Sequence, residues 1–280
     1  MTEPKTNVYT RSPLANVVVF HEFEAPPSVL KAWYEDVIKF FAQHHMEPIW
    51  GSVGGENGQK TSKLIKAKSV FKKLTRHDYE GISSFILLNT PAEDLEDTFG
   101  HNIMLWLSIQ AGYPGALIRP NFILVYDDAL SDFGKAAVTS LLKRFAAPCQ
   151  PRYGYAFQRP FHLGPEWYVM GTIVGKISDK EGDEMTEWNN KYALSEDGYK
   201  LGDLRDVYPY NWLCETHLNR SFTLEGQTFT LRSFIESDPA HGTLCEMGHD
   251  RWLWHVADEA QRLALRTRLQ PTGLLLAVLP

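Results

Sequence analysis

The run Asn16–Phe23, NVVVFHEF, is followed by Pro26-Pro27 and then by a stretch with helical patterning from Ser28 to Met46. Its β-branched and apolar residues predict a strand, and the two prolines break it. Ser28 is suited to cap a helix. Leu30, Trp33, Val37, Phe40, Phe41 and His44 recur at helical spacing and give that helix one buried face.

Working outward, Gly51–Gly58 reads as a glycine-rich loop and Ser62–Arg76 as a second amphipathic helix, with Leu64, Ala67, Phe71 and Leu74 inside. Ile82–Leu88, Ile103–Ile109 and Phe122–Tyr126 read as strands, either central and covered on both faces or covered on one face with apolar ends. A helix from Ser131 to Phe145 and a short strand at Tyr153–Phe157 follow. In the second half, Tyr168–Val174 reads as a strand and Asp183–Tyr192 as a helix burying Met185, Trp188 and Tyr192. Thr243–Met247 and Trp252–Val256 read as a hairpin. Asp258 caps a helix to about Leu269, and Gly273–Val278 reads as a last strand.

The expected class is therefore α+β, with mixed or antiparallel sheets and packed helices. Each half, residues 1–158 and 159–280, can be written as strand–helix–strands–helix–strand, which suggests two ferredoxin-like halves. One continuous domain is the other arrangement open to the sequence.

The chain has 280 residues, 44% apolar and 22% charged, enough for a substantial core. A net charge of −6 gives no whole-molecule basic field for nucleic acid. Three cysteines, Cys149, Cys214 and Cys245, lie far apart with no paired short spacing, so reduced thiols are expected and a structural zinc site is not. The polar N-terminus lacks an apolar signal core, and no apolar run reaches spanning length. A cytoplasmic protein without membrane contact is the expectation.

Gly54–Thr61, GGENGQKT, departs from a phosphate loop because Gln59 separates Gly58 from Lys60. Between Gln59 and His77 lie Lys60, Lys63, Lys66, Lys68, Lys72, Lys73 and Arg76, with no acidic residue. Such a helix face either solvates the chain or meets an acidic partner. No aromatic residue is expected on that face to stack bases, so nucleic acid is not the expected partner. Two acidic clusters balance it: Glu93, Asp94, Glu96 and Asp97, then Asp179, Glu181, Asp183, Glu184 and Glu187. The second fits the positive end of a helix and is also a candidate contact for a basic partner.

Ten histidines form no strong motif. His44-His45 point in different directions, and His241, His249 and His255 flank one predicted hairpin around Cys245. Packing histidines are favoured over a metal site there, and no cofactor is expected. A Ser–His–Asp triad assembled from distant positions stays open. In Arg251–His255, alternation places Trp252 and Trp254 on one face and Leu253 on the other. Burial of these rings is favoured over an interface patch.

Asp206–Leu213, DVYPYNWL, resembles the V-Y-P-[WY]-N-[FW]-L motif of the immunity protein 52 family, which is found beside polymorphic and type VI secretion toxins. Tyr208, Pro209, Tyr210, Asn211 and Trp212 carry the match. Gly242-Thr243-Leu244, Arg251-Trp252-Leu253-Trp254 and Gly273-Leu274-Leu275 extend it. The resemblance implies a non-enzymatic antitoxin that neutralises a cognate effector toxin, often one with a restriction-endonuclease-like domain, by stoichiometric binding. It supplies no catalytic residues, and its motif reads as structural. The candidate contacts are then Lys60, Lys63, Lys66, Lys73, Glu93, Asp94, Glu96, Asp97, Asp183 and Glu184. The competing classes are a hydrolase or nucleotide-dependent enzyme built on Gly51–Gly58, and a nucleic-acid-binding protein built on Lys60–Arg76. The sequence leaves a homo-oligomer open.

Overall fold

The computed structural model describes residues 14–55, 64–90, 103–108, 120–172, 179–194 and 197–276. The chain runs β1 (Leu14–His21), α1 (Pro27–Gln43), β2 (Trp50–Gly55), β3 (Ile65–Lys66), α2 (Ala67–Thr75), β4 (Ile82–Asn89), β5 (Ile103–Ser108), β6 (Asn121–Asp127), α3 (Lys135–Ala146) and β7 (Tyr153–Pro160). It continues through α4 (Pro165–Val169), α5 (Asp179–Leu194), β8 (Tyr210–Cys214), α6 (Glu215–Leu218), β9 (Ser221–Leu224), β10 (Gln227–Thr230), α7 (Leu231–Ser237), β11 (Thr243–Gly248), β12 (Arg251–His255) and α8 (Glu259–Leu269).

Ten strands form one sheet in the order β11-β12-β8-β7-β1-β6-β5-β4-β2-β3, while β9 and β10 make a separate hairpin. This is the expected α+β class. The two ferredoxin-like halves are not what is seen. A split βαβ unit requires a parallel pair joined by a helical crossover, and every pairing between these strands is antiparallel. The boundary read at residue 158 falls inside β7, which pairs with β1 on one side and β8 on the other. Both halves thus share one sheet.

Strand alternation sorts the core into two layers. Val18 and Phe20 of β1 face α1, α2 and α3, where Trp33, Val37, Phe41, Val70, Leu74, Val138 and Leu142 pack. Val17 and Val19 face the opposite layer, which holds Val169, Trp188, Leu218, Phe234, Leu265 and Leu269 from α4 to α8. Each face of the central strands is therefore covered, and β1 is buried almost throughout.

Several local expectations change for physical reasons. Gly51 lies in β2, because a Cβ there would stand 2.2 Å from the Ile86 carbonyl oxygen of β4. The glycines of Trp50–Gly55 thus permit close strand pairing and do not make a loop; residues 56–58 lie outside the described residues. The second helix begins at Ala67, after two residues of edge strand. The segment read as a strand from Tyr168 starts inside α4, which enters from Gly164 at φ +56° and Pro165 at the first turn. α1 starts at Pro27 with Pro26 as its cap residue, so Ser28 lies inside the helix. Asp258 does cap α8, its Oδ1 accepting the Gln261 N–H at 2.8 Å. Leu275 makes a single parallel bridge to Leu204, and no strand forms there among the described residues.

Candidate partner-binding surfaces

α2 covers the β2–β3 edge of the sheet and buries only Val70 and Leu74, one turn apart. That leaves most of a nine-residue helix in solvent. Phe71, expected inside, is 47% exposed, and Leu64, just before β3, is 39% exposed. The Phe71 ring stacks on Tyr34 with centroids 5.7 Å apart. Around it stand Lys66, Lys68, Lys72, Lys73 and Arg76, all exposed. None of them is ion-paired with a described carboxylate. The Lys66 ammonium sits 3.6 Å from the centre of the Trp50 ring. Lys60 and Lys63 lie outside the described residues, as do Glu93, Asp94, Glu96 and Asp97.

The second acidic cluster is on α5, in the other helical layer. Asp183 is exposed. Glu184 is tied down: its Oε1 takes the Arg266 Nη2 at 2.7 Å, and the Arg266 Nε reaches Asp206 Oδ1 at 3.1 Å. Burial pushes the Asp206 carboxyl up to about 6, with Arg266 opposing that rise. Glu181 bonds Arg159. Much of this cluster therefore staples α5 to α8 and to the segment entering β8.

The aromatic motif is packed. Tyr208, Tyr210, Asn211, Trp212 and Trp254 are buried, while Trp252 is half-buried. Asn211 closes the turn through Pro209, donating to the Tyr208 carbonyl at 2.8 Å and accepting the Tyr208 N–H at 3.3 Å. Trp252 and Trp254 do share the face opposite Leu253.

Beside this motif lies Arg205, which the sequence does not flag. It is 1% exposed. No described carboxylate pairs with its guanidinium. It donates instead to the Tyr155 hydroxyl and the Val169 carbonyl at 2.8 Å each, and to the Tyr168 carbonyl at 2.5 Å. Tyr155 is in turn stacked on Tyr208, centroids 4.2 Å apart.

Two crevices open at opposite ends of the same five strands, β6, β1, β7, β8 and β12. One, about 750 Å³, lies where β1 and β8 end, and is lined by Glu22, Arg152, Lys200, Cys214, Glu215 and Arg251 among others. The other, about 800 Å³, is walled by Tyr168, Tyr208, Tyr210, Phe133, Asp128 and Arg262. Both carry charges of mixed sign. In the first, Cys214 Sγ lies 3.2 Å from His217 Nδ1. His217 also accepts the Cys214 N–H at 3.4 Å and so caps α6. Burial pulls its imidazole down to about 3, so the ring is neutral at ordinary pH and a weak base. Burial also pushes the Cys149 thiol up.

The histidines flanking the hairpin do not converge. His241 is buried against Phe234, centroids 4.0 Å apart, His249 sits in the exposed turn, and His255 lies at the far end of β12 against Tyr210. Among the described residues no three His, Cys, Asp or Glu side chains gather to hold a metal. No described helix is long and apolar enough to cross a membrane.

No protein-family model matches the sequence, and no curated protein is similar to it. Among solved structures, the Pseudomonas aeruginosa T6SS protein PA0821 is similar in fold, with a TM-score of 0.58 at 12% identity, over 94% of this chain and 73% of that one. At that identity the likeness is one of architecture: the ten-stranded antiparallel sheet between two helical layers is an α+β fold shared with a T6SS protein.

Proposed function

We propose that this chain is a type VI secretion-associated immunity protein, which neutralises a cognate effector toxin, a nuclease, by stoichiometric binding and without catalysis. The observation that carries the reading is the α2 surface: an exposed aromatic ring and an exposed leucine set among cations that pair with no described carboxylate. A large apolar anchor ringed by charge is the usual make-up of a protein-binding hot spot. The charges favour a partner with an acidic face, speeding encounter and rejecting wrong partners. The fold likeness to a T6SS protein and the DVYPYNWL motif support the same reading.

The test is co-expression with the secreted effector encoded beside this gene, followed by size-exclusion chromatography. The expected result is rescue of growth and a one-to-one complex burying more than about 1,000 Å². Failure of the purified proteins to associate would falsify the proposal.

A second reading has one specific observation in its favour. Phe71 and Trp50 stand among lysines, as stacking rings do in single-strand binders. Binding to oligonucleotides that falls steeply with salt, and is lost when Lys66, Lys68 and Lys73 become Glu, would favour it.

A further inference from the structure

A third and smaller concavity differs from the two crevices in its charge. It lies between the C-terminal turn of α3, Trp212 of β8 and the turn joining β11 to β12. Its volume is about 190 Å³. Pockets for drug-sized ligands run to about 300–1,000 Å³, so this one admits a group about the size of one aromatic ring. Trp212, Ala146, Ala147 and Met247 supply the apolar walls. Lys143, Gln150, His249 and Arg251 supply the polar ones, and no described carboxylate lines it.

The site is built. Arg251 is fixed by four backbone carbonyls: Nε donates to Pro151, Nη1 to His249 and Asp250, and Nη2 to Gln150. A guanidinium has five N–H donors, so one Nη2 hydrogen is left over, and no described carboxylate is ion-paired with it, although it also borders the first crevice beside Glu22 and Glu215. The turn that carries it is held by three consecutive left-handed residues, Gly248, His249 and Asp250. Trp212 is 4% exposed, and its Nε1–H has no acceptor among the described residues. The C-terminus of α3 brings roughly half a negative charge to the site, which the full charges of Lys143 and Arg251 outweigh.

We infer that this pocket binds a carboxylate carried on a compact apolar group, with the ring on Trp212 and the charge between Arg251 and Lys143. Such a group is offered by a free aromatic acid or by the C-terminal residue of a chain. The site does not depend on the toxin-binding reading.

The experiment titrates benzoate into the ¹⁵N-labelled protein and follows the Trp212 indole N–H resonance, assigned by its loss in Trp212→Phe. A saturable shift is expected with benzoate and not with benzyl alcohol or benzylamine. Lys143→Gln should weaken binding about three- to fivefold, as loss of one exposed charge does. Ala147→Phe, which fills the pocket from its exposed rim, should abolish the shift while leaving the rest of the spectrum in place. A parallel titration with N-acetylphenylalanine separates the sources: tighter binding than benzoate assigns the pocket to a chain terminus, weaker binding to a free acid. No saturable shift, or equal shifts from benzyl alcohol, overturns the inference.

Discussion

The guanidinium carbon of Arg205 lies 3.8 Å from the centre of the Trp188 ring, in the closed interior between β7 and α5. A buried cation normally has a carboxylate partner. Here an indole face and three oxygens do that work. Arg205→Ala should therefore leave the Val169 carbonyl without its donor and take one partner from the Tyr155 hydroxyl and the Tyr168 carbonyl, which keep His21 and the Gly171 N–H, at a cost of roughly 3 kcal/mol. Arg205→Met, which restores the volume, should cost less. Urea unfolding followed by tryptophan fluorescence checks both.

Asp206 gives a stability term of unusual sign. Its carboxyl is raised from 3.8 to about 6 in the fold, chiefly by burial. The fold thus favours the protonated form. This contribution is fully present below the unfolded value and is lost as pH rises through about 6. The linkage amounts to at most about 3 kcal/mol. Asp206→Asn should flatten the dependence of stability on pH between roughly 4 and 6. Unfolding midpoints measured across that window decide it, and an unchanged slope counts against the assignment.

His217 acts in the opposite direction. Its folded value, about 3, lies below the ordinary 6.5. The unfolded chain therefore takes up a proton that the folded chain refuses, and stability falls as pH drops below about 6.5. His217→Gln should remove much of that acid sensitivity, at the cost of the α6 cap. The comparison is between the pH slopes of the two proteins, not their absolute stabilities.

The α2 surface should separate binding from folding. Phe71→Ala combined with Lys72→Glu should weaken the toxin complex on the order of a hundredfold, the scale of a hot-spot loss. Exposed positions of this kind change stability by about 0.5 kcal/mol or less. Val70→Ala, one residue away but buried, should do the reverse. Isothermal titration and thermal unfolding of the same variants check the split.

Gly51→Ala should be disproportionately harmful. Its methyl would collide with the Ile86 carbonyl, which is backbone and cannot swing aside. The β2–β4 pairing would have to slip or open, at a cost of about 2 kcal/mol or more. Loss of amide protection in Trp50–Gly55 by hydrogen exchange is the readout.

Local pattern made β1, α1, β4, β5, β6, α8 and the β11–β12 hairpin legible, because each carries its own period or cap. β8 was hidden because its five residues, YNWLC, set Asn211 among aromatic rings, so neither a continuous aliphatic run nor a polar-apolar alternation marks it. The glycines of β2 suggested a loop because their role depends on a strand about 35 residues away. The α4 region looked strand-like in composition, yet positive-φ glycines at 164 and 171 bracket a helical turn. For the site, the lysines of α2 were legible as charge. The exposure of Phe71 was not, because it follows from the helix sitting at the sheet edge, where only Val70 and Leu74 find cover. Arg205 and the small pocket depend on residues far apart in the chain, and nothing local announces them.

The place of β1 between β6 and β7 sets a timetable for synthesis. β1, the first of the described strands, is flanked by residues 121–127 and 153–160. At roughly 5–20 residues per second, it waits on the order of ten seconds for its second neighbour. Until β6 emerges both edges of this apolar strand are open, and until β7 emerges one of them still is. The nascent chain should therefore be a chaperone client until β7 emerges, and a truncation ending before Tyr153 should aggregate rather than yield a free-standing N-terminal half.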